Sequence, residues 1–219
     1  MTDHAKAPRH LLDPIERTSE VMFGIFMALT FTGTVSAATH GREEIRSALV
    51  GALGCNLAWG IADAVIYLVN LASERGRGVM SLRALHHAPD AAAGRRIVAD
   101  ALPPLVASVM QPEELDAVRG RLMALRDTPQ RPWLHARDFL AALAIMLFVF
   151  LSTFPLIVPF LVLDDAQRAL RWSHGVALLL IFVCGAQLGR HAGRPALRAG
   201  LWMVVVGVAL VALIIALGG

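Results

Sequence analysis

Five polar side chains in the second long apolar stretch of this 219-residue chain are spaced to share one face of a helix. Asn56, Asp63, Tyr67, Asn70 and Glu74 are separated by 7, 4, 3 and 4 residues, which fits a helix that turns ~100° per residue. An aspartate in lipid costs ~2.5 to 3.5 kcal/mol on insertion scales, so Asp63 must be neutral, paired, hydrated or bound to a cation. This polar stripe predicts a path for a cation or for protons.

The alternative for the stripe is a purely structural role. Asp63 would then be protonated or hydrogen-bonded across a helix interface and would serve packing only. Gly60 lies on the same face and would let a neighbouring helix or an ion approach closely.

The first apolar stretch offers a second pair of candidate ligands. Glu20 and Met27 share a helix face with Gly24. A carboxylate and a thioether on one face would give a divalent first-row metal a hard and a soft ligand. The alternative is a glutamate that reaches to the membrane surface and a methionine that fills a packing gap.

The polar middle of the chain contains further acidic residues, of which Glu113 and Glu114 are candidate metal contacts. Their spacing to His86, His87 and Asp116 matches no tight metal motif, and solvated helix charges are the alternative. No nucleophile, base and orienting group occur together at a useful spacing, so the sequence does not indicate an enzyme.

The elements that position these residues are predicted to be membrane-spanning helices. The chain is 56% hydrophobic and 17% charged, and its apolar residues form long blocks instead of the periodic patterns of a soluble core. We predict an all-α integral membrane protein with five spans, at residues 20–39, 49–69, 141–163, 173–189 and 200–217.

The arginines and lysines predict the orientation of these spans. Sixteen of the 20 basic residues fall in the N-terminal segment, in the long insert between spans two and three, and in the last loop, which the positive-inside rule places in the cytoplasm. The C-terminus would then lie outside. The predicted organisation is a cytoplasmic segment 1–19, spans one and two in 20–73, a cytoplasmic insert 74–138, and spans three to five in 139–219.

Nearly all of the basic residues are arginine, with Lys6 the exception, which is typical of a GC-rich bacterial genome and predicts the bacterial inner membrane. The arginines are explained by topology and by attraction to anionic lipid, so no nucleic-acid partner is indicated.

Prolines predict where helices in the insert and in span three begin or break. The insert should form one helix near Asp90 to Leu102, break at Pro103 and Pro104, and form a second helix from Pro112 to Arg126. In span three, Pro155 and Pro159 should kink or break the helix near its outer end.

Architecture and local sequence together resemble the vacuolar iron transporter (VIT) family. The segment Phe154–Phe160 resembles that family's Pro-Leu-x-x-Pro-like third span, and Ala209–Gly219 resembles its small-residue, glycine-ended fifth span. Glu20, in the segment Ser19–Gly24, is similar in position to the aspartate of the family's Asn-Asp-Gly segment.

The resemblance implies a homodimer that moves Fe²⁺ or Mn²⁺ out of the cytoplasm against protons, with no permanently bound cofactor. It implies that Glu20 is a membrane ligand and that Glu113 and Glu114 collect metal in the insert. The chain departs from the family pattern where it lacks the Asp-Gly pair, where Ile66 and Tyr67 replace a Gly-Glu-Tyr segment, and in the few glutamates of its insert. The alternative function is a non-transporting membrane protein whose insert binds a partner or lipid.

Overall fold

The computed structural model describes residue 12 and residues 14–38, 42–125 and 133–216. Within these ranges every regular element is an α-helix, which confirms the predicted class. The helices are α1 (Pro14–Ala38), α2 (Arg42–His86), α3 (Ala91–Asp100), α4 (Pro104–Val109), α5 (Pro112–Met123), α6 (Ala136–Leu151), α7 (Phe154–Val162), α8 (Ala166–His191) and α9 (Ala196–Ala216). Most of the predicted segment 1–19, the last residues of the first and fifth predicted spans, and Arg126 lie outside the described residues.

Three apolar stretches of helix are long enough to cross a bilayer. They comprise Leu49–His86, Ala136–Val162 and Gln167–His191, of which the shortest has 25 residues. At ~1.5 Å per residue, 25 residues span ~37 Å, more than the ~30 Å of hydrocarbon. They overlap the second, third and fourth predicted spans. A shorter apolar stretch, Ala196–Leu210, lies in α9. The count of five spans and their orientation stay predictions.

Helix α2 is longer than the predicted second span. That span was predicted to end at residue 69, whereas α2 has 45 residues and ends at His86. The residues after Asn70 become charged, and charge ends an apolar block without ending a helix. The first proline after them is Pro89, close to where the helix does end.

The chain divides into two compact units. We call Met1–Ile66 together with Arg137–Gly219 the helical body, and Tyr67–Ala136 the insert unit. The core of the helical body is formed by α1, α7 and α8, where Ile25, Leu29, Leu156 and Ile181 are almost wholly buried. Helix α9 packs along α8 and α1. This core holds α1 in a fixed position, which matters because α1 carries Glu20.

Helices α6 and α7 are separated by a turn at Ser152 and Thr153. Pro155 occupies the first turn of α7, and Pro159 lies inside that helix. The predicted break in span three is therefore confirmed, and its cause is the loss of backbone N–H donors at the prolines.

The insert unit contains α3, α4 and α5. Helix α3 begins where the Asp90 carboxylate accepts a hydrogen bond of 2.7 Å from the backbone N–H of Ala93. The predicted break at Pro103 and Pro104 is confirmed, but a short helix, α4, starts at Pro104 and was not predicted. Helix α5 begins at Pro112 as predicted.

Candidate intramembrane carboxylate site

The members of the polar stripe differ widely in burial. Asn56 is fully buried, Asp63 and Tyr67 are partly buried, and Asn70 and Glu74 are exposed. Asn56 and Asp63 belong to the helical body, whereas Tyr67, Asn70 and Glu74 belong to the insert unit. The two members in the helical body are therefore considered together as the candidate site.

Asn56 joins three parts of the helical body. Its side-chain Nδ2 donates a hydrogen bond of 3.0 Å to the backbone carbonyl oxygen of Gly24 in α1. The same nitrogen donates to the Thr153 hydroxyl oxygen in the turn between α6 and α7. Its Oδ1 is buried and has no hydrogen-bond partner among the described residues. Asn56 thus anchors α2 to α1 and to the break in span three, and it keeps one acceptor free.

Two glycines allow the helices around Asn56 to approach closely. A Cβ at Gly24 would overlap the Ser152 hydroxyl oxygen and the carbonyl oxygen of Val149. A Cβ at Gly60 would lie 2.9 Å from the carbonyl oxygen of Met146. The sequence prediction that Gly60 permits close approach is confirmed for helix α6. We call the region around Gly24, Asn56 and Gly60 the tight junction.

Glu20 and Asp63 lie at the same end of the tight junction. Helices α1 and α2 make contact through Gly24 and Asn56 and through the rings of Phe23 and Trp59, whose centroids are 6.1 Å apart. Because the two helices run in opposite directions along this contact, Glu20, before Gly24, and Asp63, after Asn56, come to the same level.

The carboxylates of Glu20 and Asp63 interact electrostatically, and Glu16 acts more weakly on Glu20. Both Glu20 and Asp63 are partly buried. Two like charges in a partly buried place are unfavourable unless a proton or a cation lies between them or on one of them. This pair can therefore hold a cation or exchange protons.

Met27 is partly buried on α1, two turns beyond Glu20 and on the other side of the tight junction. Its role as a soft ligand stays a prediction. In the described ranges, no group of three or more His, Cys, Asp and Glu side chains could hold a metal ion. A metal at the Glu20 and Asp63 pair would need further ligands from backbone carbonyls, amides, water or a second subunit.

The acidic residues of the insert unit mainly support its own helices. The Glu114 carboxylate accepts a hydrogen bond of 2.8 Å from the backbone N–H of Gln111, which caps α5. Asp116 forms ion pairs of 2.8 Å with Arg95 and 3.3 Å with Arg119. Glu113 is exposed beside the cap. The role of Glu113 and Glu114 as metal ligands is untested.

The insert unit also contains an apolar cavity of about 1000 Å³. It lies among α2, α3 and α5, and its rim includes Glu74, the last member of the stripe. The Arg75 guanidinium donates a hydrogen bond of 2.7 Å to the carbonyl oxygen of Trp133, which ties α2 to the segment before α6 within this unit.

Sequence reasoning missed the contribution of Thr153 and of the Gly24 carbonyl oxygen. A signal for Thr153 was present, because Ser152 and Thr153 are adjacent hydroxyl residues in an apolar block just before Pro155. Hydroxyl groups near a helix break are well placed to satisfy polar groups on a neighbouring helix. The Gly24 carbonyl oxygen left no such signal, since a backbone acceptor has no residue type.

Comparison with known proteins identifies the family. A family model described as the VIT family matches residues 86–219, which is more than half of the chain. None of the curated proteins compared with the chain matches it. The matched range covers α3 to α9 but not α1 or most of α2, so Glu20, Asn56 and Asp63 lie outside it. Because this match covers more than half of its length, the chain belongs to the VIT family.

Proposed function

We propose that this protein is a transporter that exports Fe²⁺ or Mn²⁺ from the cytoplasm in exchange for protons. Family membership supports transport of a metal ion. The observation that carries the proposal for this chain is the pair formed by Glu20 and Asp63, which the Gly24–Asn56 and Phe23–Trp59 contacts bring to the same level of α1 and α2.

The pair suits a divalent cation because of charge balance. Two carboxylates carry two negative charges, and one Fe²⁺ or Mn²⁺ ion neutralises both. Carboxylate oxygens are suitable ligands for Mn²⁺, and neutralisation lowers the cost of placing the acids in the membrane. Met27 lies two turns further along the same helix and would offer a soft ligand at a separate point of the path, which favours Fe²⁺ over a purely hard cation.

The same pair provides a simple basis for exchange with protons. Two protons neutralise the carboxylates as well as one divalent ion does, so the two occupants compete for one site. A site that must be neutral to be stable then exchanges one metal ion for two protons. The direction of net transport follows the larger of the two gradients.

Asn56 supports a polar continuation beyond the pair. Its buried Oδ1 has no partner among the described residues, and an amide oxygen can accept a hydrogen bond from a metal-bound water or bind the ion itself. The tight junction is also where α6 ends and α7 begins. A change in the contact between Asn56 and Thr153 would therefore alter the packing of α2, α6 and α7. We assign this junction the role of the barrier that the ion must pass.

The remaining assignments complete the proposal. Glu113 and Glu114 would collect metal at the insert before it enters the membrane. Tyr67, Asn70 and Glu74 would continue the path along α2. The protein would act as a homodimer in the bacterial inner membrane, with the N-terminus in the cytoplasm and the C-terminus outside.

The experiment is flux in liposomes that contain the purified full-length chain, with a metal-sensitive dye and a pH-sensitive dye inside. We expect Fe²⁺ or Mn²⁺ uptake that accelerates when the lumen is acidic, together with a rise in luminal pH as protons leave. Asp164→Asn, a change at an exposed acid in the loop before α8, is the control and should transport like the unmodified chain. Absence of flux of either metal at every pH gradient would contradict the proposal.

One observation favours a second candidate, a membrane protein that does not transport. The buried end of the stripe, Asn56, hydrogen-bonds to two neighbouring parts of the fold, as a purely structural stripe would. In that case Asp63→Asn would lower thermal stability or dimer yield, and no flux would be present to lose.

A further inference from the structure

A groove of about 390 Å³ lies in the helical body, between the first turns of α1 and the last turns of α8. One set of lining residues is polar and comprises Arg17, Gln187 and His191. Another set is apolar and comprises Val21, Phe148 and Val183. The groove is separate from the Glu20 and Asp63 pair, neither of which lines it.

The polar and apolar residues are ordered along the groove. In α1, Arg17 comes first and Val21 lies closer to the core. In α8, Val183 lies closer to the core, and Gln187 and His191 follow it. The polar ends of both helices therefore coincide at one end of the groove, and the apolar residues lie deeper. This order matches an amphiphile with a polar head and an apolar tail.

The distances along α1 and α8 suit a polar end at the depth of lipid headgroups. Ile25 in α1 and Ile181 in α8 are fully buried in the same core cluster. Arg17 is eight residues from Ile25, which is ~12 Å along a helix, and His191 is ten residues from Ile181, which is ~15 Å. These offsets are close to half of the ~30 Å hydrocarbon thickness, so a core near mid-membrane places both side chains at the interface.

The charge of the polar end suits an anion. The Arg17 guanidinium is permanently positive and presents a planar set of donors that matches a phosphate. The His191 Nδ1 donates to the Gln187 carbonyl oxygen at 2.8 Å, which orients the ring, and the side-chain amide of Gln187 has N–H donors that suit a phosphate oxygen. No carboxylate among the described residues lines this groove, in contrast to the cavity of the insert unit, which has Glu74 and Asp100 on its wall.

We propose that this groove binds one anionic phospholipid, with its phosphate against Arg17 and Gln187, beside His191, and one acyl chain along Val21, Phe148 and Val183. The lipid fills a gap between α1, α6 and α8 and thereby holds α1, which carries Glu20, against α8. Arg194 and Arg198, which follow His191 closely in the sequence, raise the local concentration of anionic lipid. The proposal does not depend on which ion the protein transports.

The test is lipid binding to the delipidated full-length protein in detergent, measured by native mass spectrometry. The probes are phosphatidylglycerol and phosphatidylcholine with identical acyl chains. We expect one tight phosphatidylglycerol per chain and a clear preference over phosphatidylcholine. Arg17→Gln should weaken phosphatidylglycerol binding about tenfold, because a direct guanidinium–phosphate contact is lost. The matched control is Arg190→Gln, an exposed arginine outside the groove, which should change binding less than about twofold.

A second pair of variants keeps the test independent of any folding defect at Arg17. Gln187→Glu adds a negative charge at the polar end and should also weaken phosphatidylglycerol binding, whereas Gln167→Glu, the same change at the exposed start of α8, should not. Equal losses in the groove and control variants, or no preference for phosphatidylglycerol, would overturn the proposal. Dissociation of a dimer by Arg17→Gln with unchanged lipid binding would also overturn it, because a second copy would then cover the groove.

Discussion

The tight junction of the helical body and the helices of the insert unit use polar residues in opposite ways. At the tight junction, Asn56 is fully buried and holds helices together through hydrogen bonds to Gly24 and Thr153. In the insert unit, Glu114 and Asp116 stabilise helix ends and neighbouring helices at the protein surface. The role of Glu114 and Asp116 is accounted for by these local partners, whereas Glu20 and Asp63 are two acids at the same level of adjacent helices. We therefore expect the transport chemistry in the helical body and not in the insert unit.

The largest expected effect on stability is that of a glycine substitution in the tight junction, compared with the same substitution in the insert unit. Gly24→Ala places a methyl group against the Ser152 hydroxyl and the Val149 carbonyl oxygen, and we expect a loss of roughly 2 to 4 kcal/mol of stability. Gly120→Ala in α5 meets nothing within 4 Å and should be neutral or stabilise by up to about 1 kcal/mol, as alanine favours helix. Thermal unfolding in detergent measures both. Similar effects at the two positions would mean that the tight junction is not closely packed.

The second effect concerns the hydrogen bonds of Asn56. Asn56→Ala removes the donor to the Gly24 carbonyl oxygen and to Thr153 and leaves a cavity, so we expect a loss of about 2 to 3 kcal/mol. Asn70→Ala, a change at an exposed member of the same stripe, should stay within about 0.5 kcal/mol. The measurement is again thermal unfolding, and an unchanged midpoint for Asn56→Ala would show that these contacts carry no stability.

The sequence predicts those structural features that depend on residues close together in the chain. Proline positions and apolar blocks predicted the start of α5, the break before α7 and the three long apolar helices, because each depends on residues within a few turns. The end of α2 at His86 was not predicted, since the change from apolar to charged residues marks the membrane edge and not the helix end.

The candidate site shows the same limit. The face shared by Asn56 and Asp63 follows from spacing alone, but the partners of Asn56 are 32 and 97 residues away along the chain. The approach of Glu20 to Asp63 depends on two helices meeting through Gly24 and Asn56. No local sequence pattern predicts which helices meet. The role of the Gly24 carbonyl oxygen could not be predicted either, because every residue has a backbone carbonyl group.

A smaller effect is expected at the ion pairs of the insert unit. Asp116→Asn removes the negative charge opposite Arg95 and Arg119, and all three side chains are about one-third exposed. Solvent screening reduces the contribution of such pairs, so we expect a loss of at most about 1 kcal/mol. Metal flux in liposomes should remain unchanged. Loss of flux with intact folding would move part of the transport chemistry into the insert unit and would break the comparison.

The smallest effect is a pH dependence at the start of α8. Asp165 caps this helix by accepting a hydrogen bond of 3.0 Å from the Arg168 N–H, and this contact lowers the pKa of the Asp165 carboxyl. The depressed pKa stabilises the fold above the carboxyl's ordinary pKa, and this contribution is lost as the pH falls through the lower folded pKa. Asp165→Asn, which keeps a capping oxygen, should melt slightly below the unmodified chain near neutral pH and equally at strongly acidic pH. A difference that grows on acidification would contradict this sign.

The most direct test of the central claim, that Glu20 and Asp63 act on one ion, is a double-mutant cycle of Mn²⁺ or Fe²⁺ flux in liposomes. We predict that Glu20→Gln and Asp63→Asn each lower the flux at least about tenfold, and that the double variant is no worse than either single one, because both remove the same site. Losses that multiply in the double variant would contradict the account, as would single variants that transport as well as the Asp164→Asn control.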